Sequence, residues 1–332
     1  MNLEEHKPLK KLTWMKVGGP ADYYAEIYTK ADLLEAFGIA KKKKLPVLYL
    51  GQGSNMIMPD EGIRGMVLRL MNGRIGWGDD AEDSEDVGLD RIATIEEDGN
   101  GEKKLSGSPL KGVGAQEGTD DFERVYVEGG VILAKFIREA RNRNLNGLDN
   151  FVGIPGTVGA AVRGNIGIPA EEFCEIIESV ECFDGERFFT LTPEECEFRY
   201  RHSKIKDEYW LVWSAKLRLR KGEPPHKDEW LMERIAKQPK GHSCGSFFKN
   251  PDLDKELYAG KIIDEMGLKG MKIGGAFISE QHGNFLMNDG SGTAGEIAEL
   301  AKMVKEKVFE ERKIEMENEV LLYDERCELI EL

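Results

Sequence analysis

An α+β chain of more than one domain is what this sequence predicts, and three observations predict it. The chain has 332 residues, about twice the usual domain length of roughly 150 residues. Strand-sized and helix-sized apolar segments alternate along it. Two Gly-rich turns adjoin apolar segments, Gly51-Gln52-Gly53-Ser54-Asn55 and Gly153-Ile154-Pro155-Gly156-Thr157-Val158-Gly159.

In chain order, Ala21 to Ile27 reads as a strand and Ala31 to Lys44 as a helix. Leu33, Leu34, Phe37 and Ile39 supply the helix's apolar side, and Lys41 to Lys44 suit its negative C-terminal end. Pro46 to Leu50 is a buried strand running into the first Gly-rich turn, and Gly65 to Leu70 is another. From Asp79 the composition turns acidic through Asp98, with Gly, Ser and Pro as far as Gly118. This stretch, about 79–118, reads as an insertion, a hairpin or solvated excursion. Arg124 to Val127 resumes the strands, and an amphipathic helix follows over about Val131 to Arg143. Strand signals return at Ile177 to Phe183, Arg187 to Leu191 and Trp210 to Leu219. Lys221 to His226 reads as a linker, Asp228 to Lys237 and Ala294 to Glu311 as helices, and Glu319 to Tyr323 as a terminal strand.

Composition narrows the function. With 61 acidic and 46 basic residues the formal charge is −15. General nucleic-acid binding needs clustered Lys and Arg and is not expected. The longest apolar runs fall far short of the roughly 20 residues of a membrane span, and the first residues lack the apolar core of a signal peptide. Five scattered cysteines without a paired spacing read as reduced cytosolic thiols, and no metal site is expected. A cytoplasmic monomer is the expectation.

The two Gly-rich turns are candidates for anion binding, because glycine lets backbone N–H groups converge on a phosphate. Neither is a P-loop, and no dinucleotide fingerprint sits between a first strand and helix.

Read together, the segments resemble the UDP-N-acetylenolpyruvoylglucosamine reductase (MurB) family. Thr13-Trp14-Met15-Lys16-Val17-Gly18-Gly19-Pro20-Ala21 is similar to its opening motif, and Leu50 to Ile57 to its first flavin loop. Gly153 to Ala161 with Asn165-Ile166-Gly167 is similar to its second. Tyr200-Arg201-His202-Ser203, Gly245-Ser246-Phe247-Phe248-Lys249-Asn250-Pro251, Ala259 to Ile263, Ser279 to Phe285 and Glu317 to Val320 follow in family order. Only the acidic insertion has no counterpart.

The resemblance implies an FAD-binding fold of the vanillyl-alcohol-oxidase type, two α+β subdomains, plus a C-terminal α+β substrate domain. Residues 1–71 with 319–332 would form the first subdomain, 72–223 the second, and 224–318 the substrate domain. It implies an NADPH-dependent flavoprotein that reduces UDP-N-acetylglucosamine-enolpyruvate to UDP-N-acetylmuramate in peptidoglycan precursor synthesis. FAD would lie against Gly51, Gln52, Gly53, Ser54, Asn55 and Met56, and against Gly153, Ile154, Pro155, Gly156, Thr157, Gly159, Ala160 and Asn165. Arg201 would face the substrate carboxylate as charge builds on it, since a planar guanidinium suits a growing enolate. Ser246 would donate the proton, and Glu319, held neutral in a dry site, would be a second polar partner. Tyr200, Lys249 and Asn250 would contact substrate.

Without the motifs, each residue has an ordinary reading. Ser246 is a turn serine, Arg201 part of a solvated basic strand end, Glu319 a surface carboxylate, His282 a structural hydrogen-bonder and Cys244 a packed small residue. Three departures from the family pattern stand out: Gln52 for a usual glycine, Ile168-Pro169-Ala170 where a tyrosine is usual, and His202 for a common aspartate. The short spacing from Ser203 to Gly245 suggests the type lacking a substrate-clamping loop. Two other readings remain at this point. One is another oxidoreductase of the same flavin fold. The other is a non-catalytic module that binds a UDP-sugar or flavin, of which an acidic scaffold acting through the insertion is a variant.

Overall fold

The computed structural model describes residues 1–78, 121–168, 171–223, 236 and 238–332, and the backbone of Glu96–Glu97 and Lys103–Lys104. Most of the acidic stretch, the end of the Lys221–His226 linker and, but for Ala236, the helix expected at Asp228–Lys237 lie outside these residues.

The first sheet has four strands. Leu3–Pro8 lies antiparallel to Pro20–Ile27, which is parallel to Ile63–Leu70, which is parallel to Val47–Leu50. The parallel arrangement requires a crossover, and helix Lys30–Lys43 provides it. Thr29 starts this helix: its hydroxyl accepts from Asp32 N at 3.1 Å while the Asp32 carboxylate accepts from Thr29 N at 3.0 Å. Lys44 ends it in the left-handed region, φ 56°. Leu33, Ala36 and Ala40 turn to the sheet and are buried, with Leu34, Phe37 and Ile39 packed beside them. The helical reading of 31–44 is therefore met within one residue at each end.

The second sheet is antiparallel, ordered Phe188–Leu191, Ile177–Phe183, Leu211–Lys221, Phe122–Glu128, Ile75–Trp77. Helices Leu133–Asn142 and Val158–Gly164 lie with it. Its apolar core runs from Val125 to Leu219, with Phe136, Phe151 and Phe173 fully buried. Fully burying one such ring contributes on the order of 2–3 kcal/mol.

A third unit is an antiparallel sheet of four short strands, in the order His242–Ser243, Leu286–Asn288, Ala276–Ile278 and Lys272–Ile273, covered by helices Ala259–Glu265 and Ala294–Arg312. It is joined to the first sheet in three ways. The Asp60 carboxylate accepts from Ala294 N at 3.0 Å and Gly295 N at 3.1 Å, in the first turn of the long helix. The Asn288 amide donates to Met15 O at 2.8 Å. Met15, Val17 and Ile57 share an apolar cluster with Ile262, Leu300 and Val304.

The chain then returns: Leu321–Leu322 pairs in parallel with Met56–Ile57. The return was expected, but the pairing is shorter than the Glu319–Tyr323 strand that the apolar pattern suggests. Glu319 lies just before it, where its backbone bonds to another segment instead. No helix among the described residues is long and apolar enough to cross a membrane.

Candidate active site

A cavity of about 440 Å³ opens where these units meet, and both Gly-rich turns wall it. The turns interlock. Gln52 Oε1 accepts from Gly156 N at 3.0 Å, and Ser54 Oγ donates to Pro155 O at 3.3 Å. Gly53 sits at φ 63°, and a Cβ there would lie 2.3 Å from Leu12 O, so only glycine fits this approach. Thr157 caps the helix that follows, its hydroxyl accepting from Ala160 N at 3.3 Å. The result is a pair of interlocked glycine turns beside a helix start, both lining the cavity.

Every predicted cofactor contact but one lines this cavity: Gly51 to Met56, Gly153 to Thr157, Gly159 and Ala160. Asn165 does not. It is fully buried behind the wall, donates to Glu172 Oε2 at 2.8 Å and Arg199 O at 3.1 Å, and accepts from Cys174 N at 3.0 Å. All its polar capacity holds the turn after the helix, so its role is structural. Asn55 lines the cavity but spends its amide as a clamp, donating to Glu319 O at 3.1 Å.

Three separate segments deliver the reactive side chains. Tyr200 and Arg201 occupy the tip of a tight turn closed by paired backbone bonds between Arg199 and His202. Arg201 takes φ 55°, an unfavourable value for a side-chain-bearing residue that the turn imposes. Its guanidinium donates to Glu319 Oε1 at 3.0 Å and to Gly167 O at 2.6 Å, over the Tyr200 ring.

Ser246 and Glu319 are placed together by backbone alone. Glu319 N and Val320 N both donate to Phe247 O, at 2.8 and 3.2 Å, and Lys249 N donates to Glu317 O at 2.9 Å. Buried Asn284 staples the other side of the Ser246 segment, bonding both N–H and C=O of Phe248. Phe247 and Phe248 are almost wholly buried and anchor it. Among the described residues the Ser246 hydroxyl has no hydrogen bond, and it lines the cavity with Arg201 and Glu319.

The Arg201–Glu319 pair is largely removed from water, the side chains being 18% and 24% exposed. Burial pushes the Glu319 carboxyl above its ordinary value, a rise that Arg201, Lys206 and Lys249 only oppose. Asn250 lines the cavity, its amide 3.4 Å from the Tyr200 hydroxyl. Lys249, expected at the substrate, is off the cavity wall; its ammonium pairs with Glu317 at 2.9 Å. His282 is a structural hydrogen-bonder, accepting from Asn284 N at 3.2 Å. Cys244 is packed, its thiol pushed up to about 12 by burial.

Two basic residues of the cavity escape the sequence reading of the site. Arg163 and Lys206 both line it. Burial, then the nearby charges of Lys249 and Arg163, hold the Lys206 ammonium down at about 8. Lys206 belongs to the basic group around Arg201 that reads as a solvated strand end. The only sequence signal against that reading is buried Ile205, which turns the short helix Lys204–Asp207 inward.

A family model for the C-terminal domain of UDP-N-acetylenolpyruvoylglucosamine reductase matches residues 237–323. The UDP-N-acetylenolpyruvoylglucosamine reductase of Synechococcus sp. is 32% identical over 320 residues, covering 94% of this chain and 88% of the relative. That of Agathobacter rectalis is 33% identical over 335 residues, covering 98% and 95%. The crystal structure of the MurB reductase from Thermus caldophilus superimposes with a TM-score of 0.66 at 31% identity, over 97% of this chain and 98% of that one.

Proposed function

The chain belongs to the UDP-N-acetylenolpyruvoylglucosamine reductase (MurB) family, and on that premise we propose that Arg201, Ser246 and Glu319 carry its reaction. It is a flavoenzyme of peptidoglycan precursor synthesis, a UDP-N-acetylmuramate dehydrogenase that reduces the enolpyruvyl group of a UDP-sugar. The observation that carries the residue assignment is the ion pair between Arg201 and Glu319. The two are 118 positions apart in sequence and 3.0 Å apart in a cavity walled by both Gly-rich turns.

The residues present fit a flavin dinucleotide. Gly53 lets the first turn lie directly against Leu12 O, both turns line one cavity, and Gly51 to Met56 with Gly153 to Thr157, Gly159 and Ala160 would hold the pyrophosphate and ring system. Gln52, one of the three departures from the family pattern, spans the two turns, and the Gly156 N–H it occupies is a donor a phosphate can take over. Bound FAD supplies hydride chemistry, with NADPH as the proposed reductant. The chain does the rest. Hydride at the terminal vinyl carbon leaves negative charge on the substrate carboxylate. Arg201 holds that growing charge. Glu319, raised by burial, can be neutral there and donate a hydrogen bond where an ionised carboxylate would repel. Ser246 Oγ, without a hydrogen bond among the described residues, gives its proton to the adjoining carbon. Tyr200 and Asn250 flank the substrate.

We keep the division into residues 1–71 with 319–332, 72–223 and 224–318, supported by an apolar core whose buried members run from Val125 to Leu219, with Ile75 and Trp77 packed against it. A cytoplasmic monomer stays part of the proposal.

An anaerobic titration tests the reading. NADPH should bleach the bound flavin, and UDP-N-acetylglucosamine-enolpyruvate should restore its colour. A flavin that bleaches and stays reduced would remove the substrate assignment. A protein that neither carries nor takes up FAD would remove the cofactor site.

A further inference from the structure

We propose that Lys206 is a further substrate-binding residue, an ammonium that takes the enolpyruvyl carboxylate together with Arg201. This rests on reading Arg201 and Glu319 as the carboxylate end of the site.

The position of Lys206 is built. Its helix, Lys204–Asp207, directly follows the turn that carries Arg201. Ser203 pins the start, donating from Oγ to Arg163 O at 2.6 Å and accepting from Lys206 N at 3.3 Å. Arg163 in turn donates to Lys206 O at 3.4 Å. Ile205 is fully buried. With the backbone held on both sides, the Lys206 side chain is left facing the cavity.

The other cations around it are committed. Arg201 is bound to Glu319 and Gly167, Lys249 to Glu317, Lys204 to Glu197 at 3.3 Å, and Arg163 lies over the Tyr209 ring. Among the described residues the Lys206 ammonium has neither a hydrogen bond nor an ion pair. The charges that act on it come from every neighbouring element: Arg163 from helix Val158–Gly164, Lys249 from the Ser246 segment, Glu319 from the C-terminal segment and Asp207 from its own helix. An ammonium withdrawn from water among like charges is costly in the empty site. An arriving carboxylate relieves that cost. The carboxylate is the fitting anion, rather than the diphosphate, because Lys206 stands five residues after Arg201, on the helix into which the Arg201 turn runs, and lines the cavity with Arg201 and its partner Glu319.

The sign of the pH effect follows. Burial and the charges of Lys249 and Arg163 hold the Lys206 ammonium down at about 8, and a bound anion raises that value. Binding then takes up a proton above this pH, and affinity falls as the ammonium deprotonates, about tenfold from pH 7 to pH 9.

The test measures dissociation constants on the oxidised, FAD-loaded enzyme. The probes are UDP-N-acetylglucosamine-enolpyruvate and UDP-N-acetylglucosamine, which has the diphosphate but no carboxylate. Lys206→Met should weaken the enolpyruvyl compound at least tenfold at pH 7 and the other less than twofold. Lys206→Arg, which keeps the charge at all pH values, should stay within threefold. The loss of affinity between pH 7 and pH 9 should vanish in both variants. Flavin content reports folding. Unchanged affinity in Lys206→Met overturns the proposal. Equal weakening of both compounds also overturns it, placing the ammonium at the diphosphate. A wild-type enzyme that binds neither compound removes the reading of the site itself.

Discussion

The two walls of the cavity are made by different means. On one side, the turns at 51–56 and 153–160 offer mostly backbone: glycines, N–H groups and a helix start, interlocked by Gln52 and Ser54. On the other, Arg201, Ser246 and Glu319 offer side chains from segments far apart in sequence. The first wall works by what it leaves out, since a Cβ at Gly53 would collide with Leu12 O. The second works by what it aims. The difference teaches where a substitution should act. Changes in the backbone wall should alter cofactor retention, and changes in the side-chain wall should alter one half-reaction.

The largest effect should come from Ser246→Ala. Loss of a positioned proton donor costs about 10²–10⁴-fold. Stopped-flow traces should show reoxidation by the enolpyruvyl substrate slowed by that order, with reduction by NADPH near normal. Equal slowing of both phases would break the contrast between the walls.

Glu319 comes next. Its raised carboxyl is neutral below its shifted value and ionised above it. The reoxidation rate should therefore fall as pH rises through that value. Glu319→Gln, always neutral and still a donor, should lose roughly tenfold or less and flatten this limb, while Glu319→Ala should lose about a hundredfold. A pH limb that survives in Glu319→Gln would belong to another group.

Gly53→Val tests the other wall. A branched side chain at φ 63° against Leu12 O strains the turn by about 1–3 kcal/mol. That corresponds to a five- to hundredfold weaker grip on FAD, read by equilibrium dialysis or by flavin retained on gel filtration. Normal FAD retention would remove the turn from the cofactor site. The smallest effect is expected from Gln52→Gly. The hydrogen bond it loses to Gly156 leaves an N–H free for phosphate, so the FAD dissociation constant should stay within about threefold. A tenfold loss would make the Gln52 amide itself a cofactor contact.

How much of this was legible without coordinates differs between the walls for the same reason. The glycine turns are contiguous, and their requirement is local, a backbone conformation and a missing side chain. Helix 30–43 was legible on similar grounds, from its spacing and its lysine-rich end. The side-chain wall was legible only through the family resemblance. Nothing near Ser246 says that Phe247 O will take the N–H groups of Glu319 and Val320. Asn165 and Lys249 show the limit of a motif. Both match the family pattern, yet one is spent on the turn behind the wall and the other on Glu317. Lys206 shows the converse. Its local surroundings, Lys204 and Asp207, read as a solvated end, and only the packing of Ile205 and Arg163 turns it to the cavity.

By itself the sequence determined the α+β class, the two glycine turns and, through resemblance, the family and its chemistry. These depend on periodicity, on backbone freedom and on short ordered motifs, which are properties of neighbours in the chain. Tertiary structure decided which polar groups meet. The Arg201–Glu319 pair and, among the described residues, a Ser246 hydroxyl and a Lys206 ammonium without partners arise where three segments converge and water is largely excluded. Charge and protonation there are set by burial and by partners more than a hundred residues away, which no local pattern encodes.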